Sequence, residues 1–366
     1  MNVIIAAGGT GGHLYPGVAL AREFQRQEPG SEIVFLGTAR GLEMKVVPRE
    51  GFELVTIHAK GIMGKSLLGR LKGLGVIPVG LAQCLALCRK RRPDLAFGIG
   101  GYTSPPLIMA AALLGITRTI LEPNAYPGAA NRLLSPLAHR VFVSFAETMP
   151  YFGSDKVRIV GTPIRREFLE GVGAEVHMPP DAGPTLLVLG GSQGARSVNR
   201  AVVAAMPVLT ARYPGLHIIH QTGERDYAEV KDNYTNVVRD ENLEVVPFLY
   251  DVANAFRRAD LLISRSGATT VAEITACGKP AIFIPFPHAI YGHQERNAHV
   301  LEHAGAAAVI LEAELTGDTL AQTILSLIAD SPRLAEMARR SRSLGRSDSA
   351  EQIVTMCRQL VAGAAA

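Results

Sequence analysis

Six residues near the start of the chain, Gly8-Gly9-Thr10-Gly11-Gly12-His13, have the types and spacing to hold an anion and move a proton. They follow an apolar run, Val3–Ala7, and open a helical pattern. Glycines let a backbone approach a ligand closely. A helix N-terminus offers N–H groups and positive potential to a phosphate or diphosphate. A plain strand–helix turn rarely needs four glycines in five residues. His13 at the helix start is either a turn-capping residue or a general base, since imidazole titrates near neutral pH and takes a hydroxyl proton. The loop departs from a dinucleotide fingerprint: counting from Gly9, the third glycine position is Leu14. The next strand ends Gly37-Thr38-Ala39 with no ribose-binding acid, which disfavours NAD, although Arg40 leaves a 2′-phosphate open. Gly64-Lys65-Ser66 resembles the end of a triphosphate-binding loop, but its leading glycine position is Ala59.

Further chemistry lies along the chain. Gly98-Ile99-Gly100-Gly101-Tyr102-Thr103-Ser104 ends another strand and, with the first loop, lines the carboxyl edge of a sheet, where open α/β sheets bind ligands. Ser264 to Glu273 runs from a strand into a helix through small residues, so its backbone can contact a ligand. Glu273 is placed to accept two hydrogen bonds from a ribose diol, or else is a first-turn acid favoured by the helix dipole. His288 to Asn297 follows the strand Ala281–Pro285 and is rich in hydrogen-bonding groups, as a sugar site requires. His288 and His293 raise a metal, but no carboxylate or cysteine cluster supports one.

These residues need a scaffold, and the pattern supplies one. Ile33–Gly37, Leu95–Ile99, Thr119–Leu121 and Arg140–Ser144 read as buried parallel strands beside Val3–Ala7, with helical segments such as Val18–Gln27 and Leu107–Leu114 between them. Strand–helix alternation implies a parallel sheet covered on both faces. The pattern then restarts: Thr185–Leu189, Gly190-Gly191-Ser192-Gln193-Gly194, and a helix from Ser197. Two copies of one architecture is the economical reading. Ala174–Pro184 has linker composition, but the turn Gly161-Thr162-Pro163 closes the last strand of the first half and marks the division. The expected domains are residues 1–162, 163–346, and a C-terminal helix at 347–366 packing back on the first domain.

The length, 366 residues, suits two domains, and 48% hydrophobic against 19% charged residues marks a globular chain. A net charge of +4 is too small to argue for nucleic acid. Cys84, Cys88, Cys277 and Cys357 form no CxxC or zinc spacing and fit a reducing cytoplasm. Met1–Ile5 carries no signal-peptide charge, and the longest apolar stretch, Leu74–Cys88, is short for a span and holds Pro78, so a soluble or peripheral protein is expected.

The ordered set resembles the MurG family of bacterial transferases (glycosyltransferase family 28), which add N-acetylglucosamine to lipid I to make lipid II. The residues carrying it are Gly8–His13 with Pro16, Gly100-Gly101-Tyr102, Glu122 and Asn124, Gly161 with Pro163 and Arg165, Gly190–Arg196, and Arg265–Glu273 with Gln294 and Asn297. The resemblance spans essentially the whole chain. It implies an α/β GT-B fold: two Rossmann-like, doubly wound parallel-sheet domains facing a cleft, acceptor on the first and UDP-N-acetylglucosamine mainly on the second. It implies inversion at the anomeric carbon with no cofactor and no obligatory metal, and a place in peptidoglycan synthesis. Thr10, Gly11, Gly12, Asn124, Arg165, Ser192, Ala268, Thr269, Thr270, Val271, Ala272, Glu273 and Gln294 match donor-site positions, and Leu249 matches a backbone contact to uracil. His13 is then the catalytic base, and Gly100, Gly101 and Tyr102 lie on the acceptor side. Leu121 and Pro123 depart from the family's usual histidine and glutamine, and His293 stands where some members have glutamine. The partners implied are UDP-N-acetylglucosamine, lipid I and the anionic cytoplasmic face of the membrane, to which Ile62, Met63, Leu67, Leu68 and Leu71 beside Lys60, Lys65, Arg70 and Lys72 offer a patch. The same segment also reads as an ordinary amphipathic helix. A UDP-N-acetylglucosamine 2-epimerase of the same fold and a UDP-sugar-binding regulatory module are the competing readings; the product formed, or its absence, separates them.

Overall fold

The structure, a computed structural model, describes residues 1–9, 11–39, 41–59, 67–170, 183–191, 194–235 and 237–365, with residues 67–77 described by backbone alone. The chain forms two compact units, Met1–Arg165 with Arg346–Ala366, and Arg166–Gly345.

In the first unit the order is β1 (Asn2–Ala6), α1 (Gly11–Gln27), β2 (Glu32–Gly37), α2 (Glu43–Arg49), β3 (Glu53–Thr56), α3 (Leu67–Arg91), β4 (Leu95–Gly98), α4 (Ser104–Leu113), β5 (Thr117–Glu122), α5 (Ala129–Leu134), β6 (Arg140–Val143) and β7 (Val157–Ile159). The seven strands form one parallel sheet in the order β3-β2-β1-β4-β5-β6-β7. Alternate residues of a strand face opposite sides. Val3 and Ile5 therefore join a core with Phe24, Phe97 and Phe142, while Ile4 and Ala6 join a second with Cys84, Cys88 and Ile108. Each large apolar side chain so buried contributes about 1.5–3 kcal/mol. The predicted strands of this half are all present. Among the described residues no helix is long and apolar enough to cross a membrane.

The second unit runs β8 (Thr185–Leu189), α6 (Arg196–Arg212), β9 (His217–Gln221), α7 (Tyr227–Tyr234), β10 (Leu243–Val246), α8 (Val252–Arg258), β11 (Leu261–Ser264), α9 (Ala268–Cys277), β12 (Ala281–Phe283), α10 (His293–His303), β13 (Ala307–Val309), α11 (Gly317–Ile328) and α12 (Ser331–Leu344). Its parallel sheet has the order β10-β9-β8-β11-β12-β13. The last helix, α13 (Ser349–Ala365), places Ile353, Val354 and Cys357 in the Val3–Phe24 core of the first unit. Arg358 pairs with Glu28 at 2.6 Å beside it.

β9 buries His220 completely. Its Nδ1 lies 2.7 Å from the Tyr234 hydroxyl and its Nε2 lies 3.0 Å from Asn199 Oδ1. An amide oxygen only accepts, so Nε2 carries the proton and Nδ1 accepts from the tyrosine. Burial pushes the imidazole down to about 3, so it is neutral. Asn199 Nδ2 in turn donates to Thr222 O at 2.9 Å and to Asp226 Oδ2 at 3.0 Å.

Candidate active site

The strand order of the first sheet reverses between β1 and β4, which pair directly. Loops leaving such neighbouring strands diverge and open a crevice at their carboxyl ends. Both glycine-rich loops of this unit start there. They are pinned from below: Gly8 N–H donates to Thr103 Oγ1 at 3.2 Å, and Gly9 N–H to Glu43 Oε2 at 3.4 Å. The hydroxyl of Ser104 donates to Gly100 O at 2.7 Å and accepts from Gly100 N–H at 3.0 Å. Gly100 and Gly101 have φ of 107° and 71°, a region that favours glycine. A Cβ on Gly101 would stand 2.6 Å from Gly8 O, and one on Gly100 would stand 3.1 Å from His13 Nε2. The missing side chains therefore let the second loop lie against the first and against the imidazole. His13 is the third residue of α1 and half-buried. Gly11 and Gly12 open the same helix; Thr10 lies outside the described residues.

Tyr102 covers Gly9, its ring 3.2 Å from where a Cβ would be. Burial, and then the nearby Glu43, push its phenol up, against a hydrogen bond from Thr38. Glu43 is a residue that sequence reasoning missed. It is 2% exposed, and its Oε1 accepts from Thr38 N–H at 2.9 Å and from Thr38 Oγ1 at 3.1 Å. Its carboxylate occupies the space that side chains at Gly37 and Gly41 would need. Nothing in a lone acid after Gly41-Leu42 marks this role.

At the end of β5, Glu122 is buried and accepts four N–H groups: Asn124 N at 3.1 Å, Asn124 Nδ2 at 3.1 Å, Gly128 N at 2.9 Å and Asn131 Nδ2 at 2.9 Å. Burial pushes its carboxyl up, and those donors oppose the shift. Glu122 thus fixes Asn124. The departure at Leu121 has a structural account, because that side chain is fully buried in the core with Phe97 and Phe142. The Arg165 guanidinium lies 4.9 Å over the Tyr15 ring.

In the second unit the order reverses between β8 and β11. Gly190 and Gly191 follow β8, with Gln221 Nε2 donating to Gly191 O at 3.1 Å and to Pro247 O at 3.2 Å. Ser192 lies outside the described residues. Gly267, extended at ψ 143°, precedes α9, so Ala268, Thr269, Thr270, Val271, Ala272 and Glu273 fill its first turn and a half. This corrects the expectation for Glu273: it stands in the second turn, 7% exposed, and the first turn of α9 holds no acid. The helix begins only after the loop glycine, which leaves Glu273 too deep for the dipole reading. Leu249 is half-buried between the exposed Phe248 and Tyr250, whose rings meet edge to face at 5.0 Å. Gln294 Oε1 accepts from Phe286 N–H at 3.0 Å, and Ser266 Oγ donates to Gln294 O at 2.7 Å. Asn297 Nδ2 donates to Ser266 O at 3.1 Å. His293 Nδ1 meets Ile290 O at 2.7 Å, and burial lowers its pKa. Among the described residues no cluster of three or more His, Cys, Asp or Glu side chains is arranged to hold a metal.

Two doubly wound parallel sheets, each with glycine-rich loops at its reversal point, define a two-domain α/β protein of the kind that handles phosphorylated ligands at strand ends. Residues 3–143 match the glycosyltransferase family 28 N-terminal domain and residues 185–353 the family's C-terminal domain. The chain belongs to glycosyltransferase family 28 and is a glycosyltransferase. It is 45% identical over 97% of its length, and 97% of the relative, to a Geobacter sulfurreducens protein named UDP-N-acetylglucosamine--N-acetylmuramyl-(pentapeptide) pyrophosphoryl-undecaprenol N-acetylglucosamine transferase. A Myxococcus xanthus protein of the same name is 41% identical, with 99% and 93% covered. Among solved structures, Acinetobacter baumannii MurG is similar with a TM-score of 0.78 and 28% identity, over 98% of this chain and 99% of that one. A UDP-GlcNAc 2-epimerase from Neisseria meningitidis, solved with UDP-GlcNAc, has a TM-score of 0.69 at 14% identity, covering 98% and 100%; that likeness concerns the fold alone.

Proposed function

We propose that the protein transfers N-acetylglucosamine from UDP-N-acetylglucosamine to N-acetylmuramyl-(pentapeptide) pyrophosphoryl-undecaprenol, lipid I, giving lipid II. The observation that carries this reading is end-to-end similarity at 45% identity to a chain bearing that name. The chemistry is one inverting displacement: the C4 hydroxyl of the muramyl sugar attacks the anomeric carbon and UDP leaves. His13 takes the proton. Its support is its place at the start of α1 against the Gly100–Gly101 loop, at the reversal point of the first sheet. Tyr102, Gly100 and Gly101 belong to the acceptor side.

The donor set is Thr10, Gly11, Gly12, Asn124, Arg165, Ser192, Leu249, Ala268 to Glu273, and Gln294. Arg165, Ser192 and glycine-loop N–H groups counter the charge growing on the diphosphate. Glu273 holds the ribose diol. The enzyme works at the anionic cytoplasmic face of the membrane, because a lipid-linked acceptor keeps its diphosphate there. Ile62 and Met63 of the expected patch lie outside the described residues, and the side chains of Leu67, Leu68 and Leu71 are not described. Beside that segment, α3 packs on α4 and α4 on α5. These helices expose Val79, Leu113 and Leu133 by 49%, 68% and 74%, and α3 ends in Arg89-Lys90-Arg91.

Incubation with labelled UDP-N-acetylglucosamine and a lipid I analogue tests the reading. Label should pass to the lipid. Label that stays in an epimerised sugar nucleotide, or no turnover of bound donor, would overturn it.

A further inference from the structure

Arg265 is the hub of the second unit's loops. Its guanidinium donates through Nη1 to Ile284 O and Pro285 O, both at 3.0 Å, at the carboxyl end of β12. Nη2 donates to Ser197 Oγ at 3.1 Å, at the start of α6, the helix that follows β8. Glu312, just past β13, pairs with Nη1 at 2.5 Å, and the two side chains are only 15% and 27% exposed. The guanidinium also lies 5.5 Å from the Phe286 ring centre. One planar cation therefore ties together the segments that leave β8, β11, β12 and β13. A point charge on a flexible stem cannot match that fork geometry.

The consequence reaches Gln294. The backbone that Arg265 grips at Ile284 and Pro285 continues directly to Phe286, whose N–H is bonded to Gln294 Oε1. A backbone N–H only donates, so the amide oxygen must face it and Nε2 must face away. We propose that the Arg265–Glu312 pair is a positioning device for donor discrimination: it holds the Phe286 N–H where it fixes which end of the Gln294 amide meets the sugar hydroxyls. The inference rests on reading the second unit as the donor-binding one. Neither residue touches the donor in this account. Glu312 keeps the guanidinium in one orientation, and losing its charge lets the β12 loop and the amide move.

The test uses the full-length enzyme as wild type, Glu312→Gln, Arg265→Lys and the double variant. For each, kcat/KM is measured with UDP-N-acetylglucosamine and with its 4-epimer, UDP-N-acetylgalactosamine, and the Kd of UDP alone by calorimetry. Glu312→Gln should lower kcat/KM for the gluco donor by about 3- to 10-fold, the scale of one hydrogen bond. The preference over the epimer should shrink by a similar factor, while the Kd of UDP changes by less than about twofold. Arg265→Lys should behave alike, and the double variant should be no worse than the worse single, because both act through one contact. Equal losses for both epimers, or a UDP Kd that rises in step with KM, would mean a merely structural role and overturn the inference. So would unchanged discrimination in Glu312→Gln, which keeps the shape of the site if Arg265→Lys fails to fold. Wild-type enzyme that turns over neither donor would instead overturn the functional reading.

Discussion

His13 is held rather than merely present. The imidazole sits against Gly100, whose missing side chain makes room for it. If His13 is the base proposed above, it acts in the chemical step more than in binding. His13→Ala should keep its UDP affinity and lose about 10²–10⁴ in kcat, the usual cost of removing a general base; single-turnover rates beside UDP calorimetry measure both. Near-normal turnover would reduce His13 to a loop residue. Glu273 differs, being 7% exposed in the second turn of α9. Removing a charge-assisted pair of hydrogen bonds to the ribose should weaken apparent donor binding by about 1.5–3 kcal/mol and leave the acceptor KM alone. An unchanged donor KM and kcat in Glu273→Ala would discard that assignment.

Gly101 lies at φ 71° with Gly8 O 2.6 Å from its missing Cβ. Gly101→Ala should therefore strain the turn by about 1–3 kcal/mol and push the two glycine loops apart. The expected signature is a lower kcat with a modest fall in Tm, read by calorimetry and initial rates. A variant with wild-type kcat would show that the contact does not set the catalytic geometry. His220 makes the β9 region pH-sensitive. Its folded pKa of about 3 lies below the ordinary histidine value of 6.5. Between those values the unfolded chain binds a proton that the folded chain refuses. The stability this group contributes is thus complete above pH 6.5 and falls as pH drops toward 3, with a slope approaching 1.4 kcal/mol per pH unit. His220→Gln should flatten that part of the stability–pH curve, and denaturant titrations between pH 7 and 4 (roughly the window in which the unfolded group takes up its proton) give the comparison. The strands that bear these loops were legible because β1, β4, β8 and β11 are continuous apolar runs buried on both faces. β3 and β10 were not: they are half-buried edge strands, and Glu53 and Glu244 interrupt their pattern. The glycine loops, His13 and Glu273 announce themselves by type and spacing. Glu43 and Glu312 do not, since each works through partners that only folding brings near.

At the scale of the whole molecule, the proposed attachment to lipid can be tested on the exposed leucines of α4 and α5. Co-sedimentation should rise with the anionic lipid content of vesicles and fall with salt, and Leu113→Ser with Leu133→Ser should weaken it. Binding indifferent to salt, or absent, would leave the acceptor alone to hold the enzyme at a membrane. The path of the backbone has a different consequence. The chain leaves the first unit after Arg165 and returns to it at Arg346. Until α13 arrives, the core that holds Val3, Phe24 and Phe142 lacks Ile353, Val354 and Cys357. A chain synthesised from its N-terminus therefore makes most of this core early and waits through some 180 residues of a different unit for the rest. Loss of the tail, by truncation or by a protease nick, therefore leaves apolar surface open far upstream, on the core that was built first.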